Sequence, residues 1–554
     1  LLALLAAPAQ AARTAPARLP PLHAYVIGRY AALGSEMGLA AQLMEQARAA
    51  DPDATNVARR SFELALAAGD APRTFALARS LPLPDTSPGG SAGSDADVAM
   101  VRLADALIRR DPAAAATART RLVGPGWPQV AAPIADAWVA MARGDTAAAL
   151  AALDLRQAQG VVRAYLSEHR AHVLAAAGRW DEAALAYRQT RAMGGGAPLF
   201  LKLAQADALV MAGRRDEALA LLAPVDQPTA AARRNLVAGR RPGALVTEAR
   251  QGLAWLAMRL AGDLAREQAQ APALAFARLS SFLAPEQPAP WLLLADLLVP
   301  AGQPQAALAA LDRLPAGNLH AAQARARRAD ALARAGRTDA GRQLLAAAAA
   351  APDASADDWS ALADWHRDAG QVADAIGALD GAIAHFGEAV PVTASHLHLQ
   401  RAMLHDRAGN WPAADKDLHD ALLLTPDDPV ALNYLGYSLL ERGDVATAAP
   451  LIERAAALRP GDGGIIDSLG WLQLRRGRLA EAVVTLERAA QMEPGDPSII
   501  GHLGDAYWQQ GRRIEARFRW RQALTMEPET GLRRQLQARL DYGLDAAPAM
   551  LAQR

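Results

Sequence analysis

The residues best suited to chemistry are sparse and widely spaced. His396, His398 and His405 lie close to Asp406, a set of types that can ligate a metal ion. On a helix, His396 and His398 project about 200° apart, and His398 and His405 share a face only two turns apart. The segment reads as solvated or packing histidines, and no metal site is assigned. Gly89-Gly90-Ser91-Ala92-Gly93 matches the G-x-S-x-G pattern of a nucleophile elbow. That motif needs a strand before the serine and a helix after it. Here it follows Pro88 in a Gly/Ser-rich stretch, and it reads as linker. Only Lys202 and Lys416 are lysines, and neither follows a glycine in a phosphate-cradling pattern. Cysteine is absent, which removes thiolate nucleophiles, disulfides and cysteine metal ligands. No pair of carboxylates stands out as acid and base. The chain is expected to be non-enzymatic, with no cofactor.

A different set of side chains is regularly spaced. Asn433, Tyr434 and Tyr437 are followed by Asp467, Ser468, Trp471 and Arg475, and then by His502, Asp505, Trp508 and Gln509. Tyrosine, tryptophan and arginine are the types that dominate protein-interface hot spots. The elements that must position them follow from a period of 34 residues. Gly443, Gly477 and Gly511 are 34 apart, as are Leu435-Gly436, Leu469-Gly470 and Leu503-Gly504. Ala448, Ala482 and Ala516 keep the register, as do Ala455, Ala489 and Ala523, and Pro460, Pro494 and Pro528. Such a unit is a helix–turn–helix. The glycine at 443, 477 and 511 ends the first helix in a left-handed turn. The small residues mark close helix contacts, the proline stops the second helix, and Asp427-Asp428, Asp462 and Asp496 cap the next.

The register runs backward through Gly409, Ala414, Leu418, Ala421 and Pro426, through Gly370, Gly336 and Gly302, and through Gly178 and Gly144, with Gly213 one residue late. Near the start, Gly28, Ala40, Met44, Ala47 and Pro52 match, with Gly69 in register with Ser35. About fourteen helix pairs are expected. Lys plus Arg and Asp plus Glu are both 58, so the chain lacks the basic footprint of a nucleic-acid binder. Hydrophobic residues reach 52% but aromatics only 5%, a surplus of the alanine and leucine that favour helix.

The 34-residue pattern resembles the tetratricopeptide repeat, which implies an all-α helix-turn-helix solenoid wound as a right-handed superhelix, each pair touching its neighbours. The first helices then line a concave groove, and the eleven residues from Asn433 to Gln509 named above become its partner-binding face. The boundaries expected are a residual signal peptide at 1–11, a Pro-rich linker at 12–22, and an N-terminal array at 23–225 with a loop insertion at 82–96. An insertion at 226–246 carries Arg233, Arg234, Arg240 and Arg241. Divergent repeats fill 247–386, residues 387–394 form a shorter break, well-formed repeats fill 395–528, and a capping helix and tail occupy 529–554. The apolar run Leu1–Ala7 before Ala9-Gln10-Ala11 has the form of a leader and its cleavage pattern, so a mature start near Ala12 or Arg13 and a periplasmic location are expected. No stretch is apolar and long enough to span a membrane.

Two stretches narrow the resemblance. They are Tyr25 to Asp53 followed by Ala58–Asp70, and Asn433-Tyr434-Leu435-Gly436-Tyr437 with Ile466-Asp467-Ser468-Leu469-Gly470-Trp471. They look like bacterial envelope tetratricopeptide proteins of the type that act as adaptor for a carboxy-terminal processing protease. That implies a protein partner, the protease or its substrates. Lipid-anchored members attach through a cysteine, so here the outer membrane would be reached only through a partner. Two other readings are a scaffold for polysaccharide export or cell-wall synthesis, and the repeat region of an enzyme whose catalytic domain is absent.

Overall fold

The computed structural model describes residues 19–82, 96–156, 158–193, 198–223, 227–314, 319–386 and 392–546. The expected leader, most of the Pro-rich linker, Gly89–Gly93 and residues 387–391 lie outside them. The described residues are helical without a strand. The chain divides into two compact units, one ending at Leu362 and the other beginning at Ala363.

The first unit holds α1 (Pro21–Leu33), α2 (Met37–Ala50), α3 (Thr55–Ala68), α4 (Ala71–Ser80), α5 (Ala96–Ile108), α6 (Pro112–Arg119), α7 (Trp127–Ala142), α8 (Thr146–Ala152), α9 (Gly160–Ala176), α10 (Trp180–Ala192), α11 (Pro198–Met211), α12 (Arg215–Leu221), α13 (Gln227–Val237), α14 (Ala249–Arg266), α15 (Gln270–Leu283), α16 (Pro288–Leu298), α17 (Pro304–Leu311), α18 (Ala321–Arg334) and α19 (Thr338–Ala349). The boundary falls within α20 (Ala356–Asp368). The second unit continues with α21 (Val372–Phe386), α22 (Ser395–Arg407), α23 (Trp411–Leu424), α24 (Pro429–Glu441), α25 (Val445–Leu458), α26 (Gly463–Arg475), α27 (Leu479–Met492), α28 (Pro497–Gln509), α29 (Arg513–Thr525) and α30 (Thr530–Tyr542). Hairpin pairs run α1–α2 through α11–α12, then α14–α15, α16–α17, α18–α19, and α22–α23 through α28–α29.

The residues of the repeat do what their chemistry dictates. Asp428, Asp462 and Asp496 accept hydrogen bonds from backbone N–H groups in the first turns of α24, α26 and α28. Gly443, Gly477 and Gly511 adopt φ of 89°, 74° and 83°. A Cβ on Gly436, Gly470 or Gly504 would fall 2.7, 2.6 or 2.5 Å from Ile452, Leu486 or Trp520, so only glycine lets these helices approach. The turn survives where glycine is lost. Ser35, Arg110 and Gln268 stand one 34-residue step before Gly69, Gly144 and Gly302, and their φ values of 60°, 57° and 62° are left-handed too. At the far end, Leu536 of α30 is fully buried against the last pair, with Leu532 and Leu540 beside it.

Unit 1 departs from the rule that each pair touches only its neighbours. Its α14 packs on α5 and α7, and α15 packs on α3 and α5. Here α14 is the first and α15 the second helix of one pair, while α3, α5 and α7 are first helices of distant pairs, so the face expected to be an open groove is covered by the same chain. Gly252 of α14 lies flat against the Trp138 indole of α7. Trp127 meets Phe276 edge-on at 4.9 Å, and Phe75 meets Phe282 at 5.8 Å. A connection precedes this closure: α13, then an extended run in which the Ala244 amide donates to Asp207 Oδ2 at 2.6 Å.

Candidate partner-binding groove

In unit 2 the first helices α24, α26 and α28 pack side by side. Between α20, α22 and α24 lies a recess of about 560 Å³, lined by Leu379, Met403, Leu404 and Tyr434 with Arg367, Gln400 and Arg407 among its polar groups. Tyr434 donates to Asp406 Oδ2 at 3.0 Å, and Arg442 reaches the other oxygen at 2.6 Å. Burial and that carboxylate push the Tyr434 phenol up to about 12, so it stays a neutral donor. One turn on, Tyr437 is half-buried, and burial with Glu441 raises its phenol further.

The next two helices are tied across the groove. His502 Nδ1 lies 2.8 Å from Asp467 Oδ2, and the Trp471 indole stacks on the His502 ring at 4.4 Å. Trp471 Nε1 donates to Glu441 Oε1 at 2.7 Å, with Arg475 3.8 Å from the same oxygen. Burial opposes a charged His502, but Asp467 and Asp505 outweigh it and raise its pKa. Asn433 is half-buried, Ser468 is buried and donates to the Gly464 carbonyl at 3.1 Å, and Gln509 is exposed.

Two expected groove residues sit elsewhere. Asp505 is 0% exposed. It accepts from Trp520 Nε1 at 2.9 Å and pairs with Arg539 of α30 at 3.0 Å, so it cannot meet a partner while α30 is docked. Trp508 is half-buried: its ring abuts Gly543, and its Nε1 donates to Asp545 at 3.2 Å. The reason is one of register. Trp471 stands six residues before its turn glycine, and Trp508 only three before its own, so the two rings occupy different faces. Asp505 shares the Trp471 slot, but α30 covers it.

The histidine group also differs from the sequence reading. His398 faces Asp417 and Asp420, and these three bring ligand atoms within 4.8 Å of one another. Arg401 already donates to both Asp417 oxygens, at 2.8 and 2.5 Å, and Lys416 holds Asp420 at 2.6 Å. Burial favours a protonated Asp417, but Arg401 outweighs it and lowers the pKa. The cluster is an ion-pair network joining α22 to α23. Asp406, by contrast, belongs to the Tyr434 recess.

Unit 1 offers a different surface. Its filled face is a buried polar seam between α9 and α14: Tyr165 donates to Asp263 at 2.5 Å, Trp255 Nε1 donates to Glu168, and Arg259 lies 3.4 Å from Glu168. Burial pushes Glu168 up to about 7 and His172 down to about 3. Nothing in the sequence pattern pointed to this seam, because its partners lie almost 100 residues apart. An apolar cavity of about 510 Å³ remains where Phe62, Met100, Trp127 and Phe276 converge. Among the described residues, no helix is long and apolar enough to cross a membrane.

The family model described as tetratricopeptide repeat matches residues 473–540. No curated protein matches the chain. Among solved structures, the APC/C hetero-tetramer Cut9-Hcn1 is similar over 95% of this chain and 96% of that chain, at 15% identity and a TM-score of 0.36. MamA from Desulfovibrio magneticus RS-1 covers 31% of this chain and 94% of its own, at 18% identity and 0.27. YrrB, a tetratricopeptide protein with an unusual peptide-binding site, covers 32% and 90%, at 18% identity and 0.26. Scores of that size bear on nothing beyond general likeness. Over residues 473–540 the chain carries tetratricopeptide repeats, and the fold of its helix pairs is that of a tetratricopeptide solenoid.

Proposed function

We propose that the chain is a non-enzymatic scaffold that holds a protein partner on the first-helix face of unit 2. The observation that carries this reading is the 560 Å³ recess beside Tyr434, continued by the rings of Tyr437 and Trp471. Large amphipathic rings next to a recess suit an inserted side chain and a flanking segment. In unit 1, α14 and α15 pack on the first helices α3, α5 and α7. A photocrosslinking residue at Met403, on the recess, should capture a partner that Tyr434→Ala and Trp471→Ala lose. Equal capture from Arg156, on an exposed turn of unit 1, would overturn the assignment.

The narrower reading is a periplasmic adaptor for a carboxy-terminal processing protease or another envelope assembly component. Its support is the leader-like start and the two quoted stretches of resemblance. N-terminal sequencing of the native protein should give Ala12 or Arg13. Retention of residues 1–11 on a cytosolic product would refute the location, and absence of a protease among the Met403 crosslinks would refute the partner.

A further inference from the structure

The outward side of α29 departs from the pairs before it. In successive second helices one slot holds Pro412, Ala446, Ala480 and Ile514, and another holds Lys416, Pro450, Val484 and Phe518. In the last pair both slots carry a large apolar side chain. Ala516, Trp520 and Ala523 are fully buried, with Trp520 packed at Gly504 of α28, so the opposite side of α29 faces outward. There Ile514 is 85% exposed and Phe518, one turn on, is 61% exposed. A terminal repeat needs a polar outer face to stay in water. Two large apolar side chains on that face mark a contact with an apolar medium.

A line of arginines runs beside them. Arg513, Arg517 and Arg521 stand four residues apart, on the flank of Ile514 and Phe518. The slot of Arg521 holds Glu453 in α25 and Glu487 in α27, so the sign of charge reverses in the last pair. Among the described residues, none of the three arginines meets a carboxylate. Arg513 lies over the Trp508 ring at 4.9 Å, Arg517 donates to the Leu540 carbonyl at 3.1 Å, and Arg521 is exposed. Glu515, on the same helix, is held by Arg512 at 3.1 Å.

These two features select the occupant. A second copy would set arginine against arginine. A protein partner needs a matched surface of about 800 Å² a side, whereas here two apolar side chains project beside a row of charge. A bilayer needs no matching shape. Guanidinium groups pair with phosphate oxygens at headgroup level, and apolar side chains between them enter the acyl boundary. We infer that α29 is a membrane-contact helix: Ile514 and Phe518 insert into an anionic phospholipid surface, and Arg513, Arg517 and Arg521 pair with its phosphates. This face points away from α28, so the first-helix side can hold a partner while the chain rests on a membrane, and the inference does not depend on the groove.

The chain has no cysteine, so Ile514→Cys in the full chain carries a single environment-sensitive fluorophore. Vesicles of phosphatidylglycerol and phosphatidylcholine should shift its emission to the blue, and vesicles of phosphatidylcholine alone should not. Raised salt should reverse the shift. The same label at Met403→Cys, in the first-helix recess, should not respond. In co-sedimentation of unlabelled protein, Arg521→Gln should weaken binding to the anionic vesicles about fivefold. Ile514→Ser with Phe518→Ser should weaken it about tenfold or more. Melting temperatures should match the wild type, because these side chains stand in water. If the double variant sediments as the wild type does, any membrane contact lies elsewhere in the chain and the inference fails. A label at Ile514→Cys that ignores anionic vesicles also overturns it, and a shift given by polyglutamate but not by vesicles would assign the face to an acidic protein instead.

Discussion

Replacing Gly252 by alanine places a methyl group 2.0 Å from Trp138 Cε2 and 2.3 Å from two further ring carbons. Carbon atoms at rest stand about 3.5–4.0 Å apart, so α14 must withdraw or the indole must turn. The indole is held: Trp138 is 0% exposed, and its Nε1 donates to His169 Nδ1 at 3.1 Å. Overpacking of this kind costs about 1–3 kcal/mol. Alanine for glycine inside a helix returns about 1 kcal/mol. Gly262, on the same helix, has nothing within 4 Å of an added Cβ. Gly262→Ala therefore takes the helical gain alone, and the difference between the two variants isolates the packing cost. Urea unfolding should separate them by about 1–3 kcal/mol, with Gly252→Ala the weaker. Hydrogen exchange should show faster opening of both α7 and α14 in that variant. If Gly252→Ala matched or exceeded Gly262→Ala, α14 would not be docked on α7, and unit 1 would present an open face after all.

Other perturbations follow from the same packing. Trp508→Ala should cost about 2–3 kcal/mol, read from urea unfolding, because the ring supports Gly543 and Asp545. Trp471→Ala should cost about 1 kcal/mol, since that ring is half-buried, and should cost partner binding instead. His502 has a raised pKa in the fold, so the stability it contributes is full below its unfolded value near 6.5 and fades as pH rises through the raised value. Melting of unit 2 should therefore fall from pH 6.5 upward more in the wild type than in His502→Gln. On α1, Leu22, Val26, Tyr30 and Leu33 are 72%, 56%, 64% and 85% exposed at helical spacing. Glutamine at Leu22, Val26 and Leu33 should leave the melting curve unchanged within about 0.5 kcal/mol per site and should lower any self-association seen by light scattering.

How far the sequence reached depends on whether an interaction repeats. The 34-residue slots were legible because each has one physical job: a left-handed turn, a close approach, a cap, a stop. All six alanines at 448, 455, 482, 489, 516 and 523 are fully buried. Ser35 could be read only from its register with Gly69, and the turns at Arg110 and Gln268 were hidden because a non-glycine residue takes the left-handed conformation there. The closure of unit 1 was illegible for another reason: Glu168 with Arg259, and Trp127 with Phe276, are non-repeating pairs of distant residues. In the groove, residue types placed Tyr434, Tyr437, Asp467, Trp471 and His502 together. The pattern did not show that α30 would cover Asp505, because Arg539 lies outside the last repeat.

The closure of unit 1 has a kinetic side. Contacts such as Phe75 with Phe282 and Trp127 with Phe276 close very long loops, and non-local contacts of that kind slow folding. The last pairs of unit 2 touch near neighbours in sequence and can assemble as soon as each hairpin exists. During synthesis, α3 and α5 leave the ribosome roughly 200 residues ahead of α15, a gap on the order of 10–40 s at typical elongation rates. For that interval the apolar face around Phe62, Met100 and Trp127 waits without its cover. A chain truncated before α14 would therefore leave that face exposed, and refolding of the full chain should show a slow phase for unit 1 that unit 2 lacks.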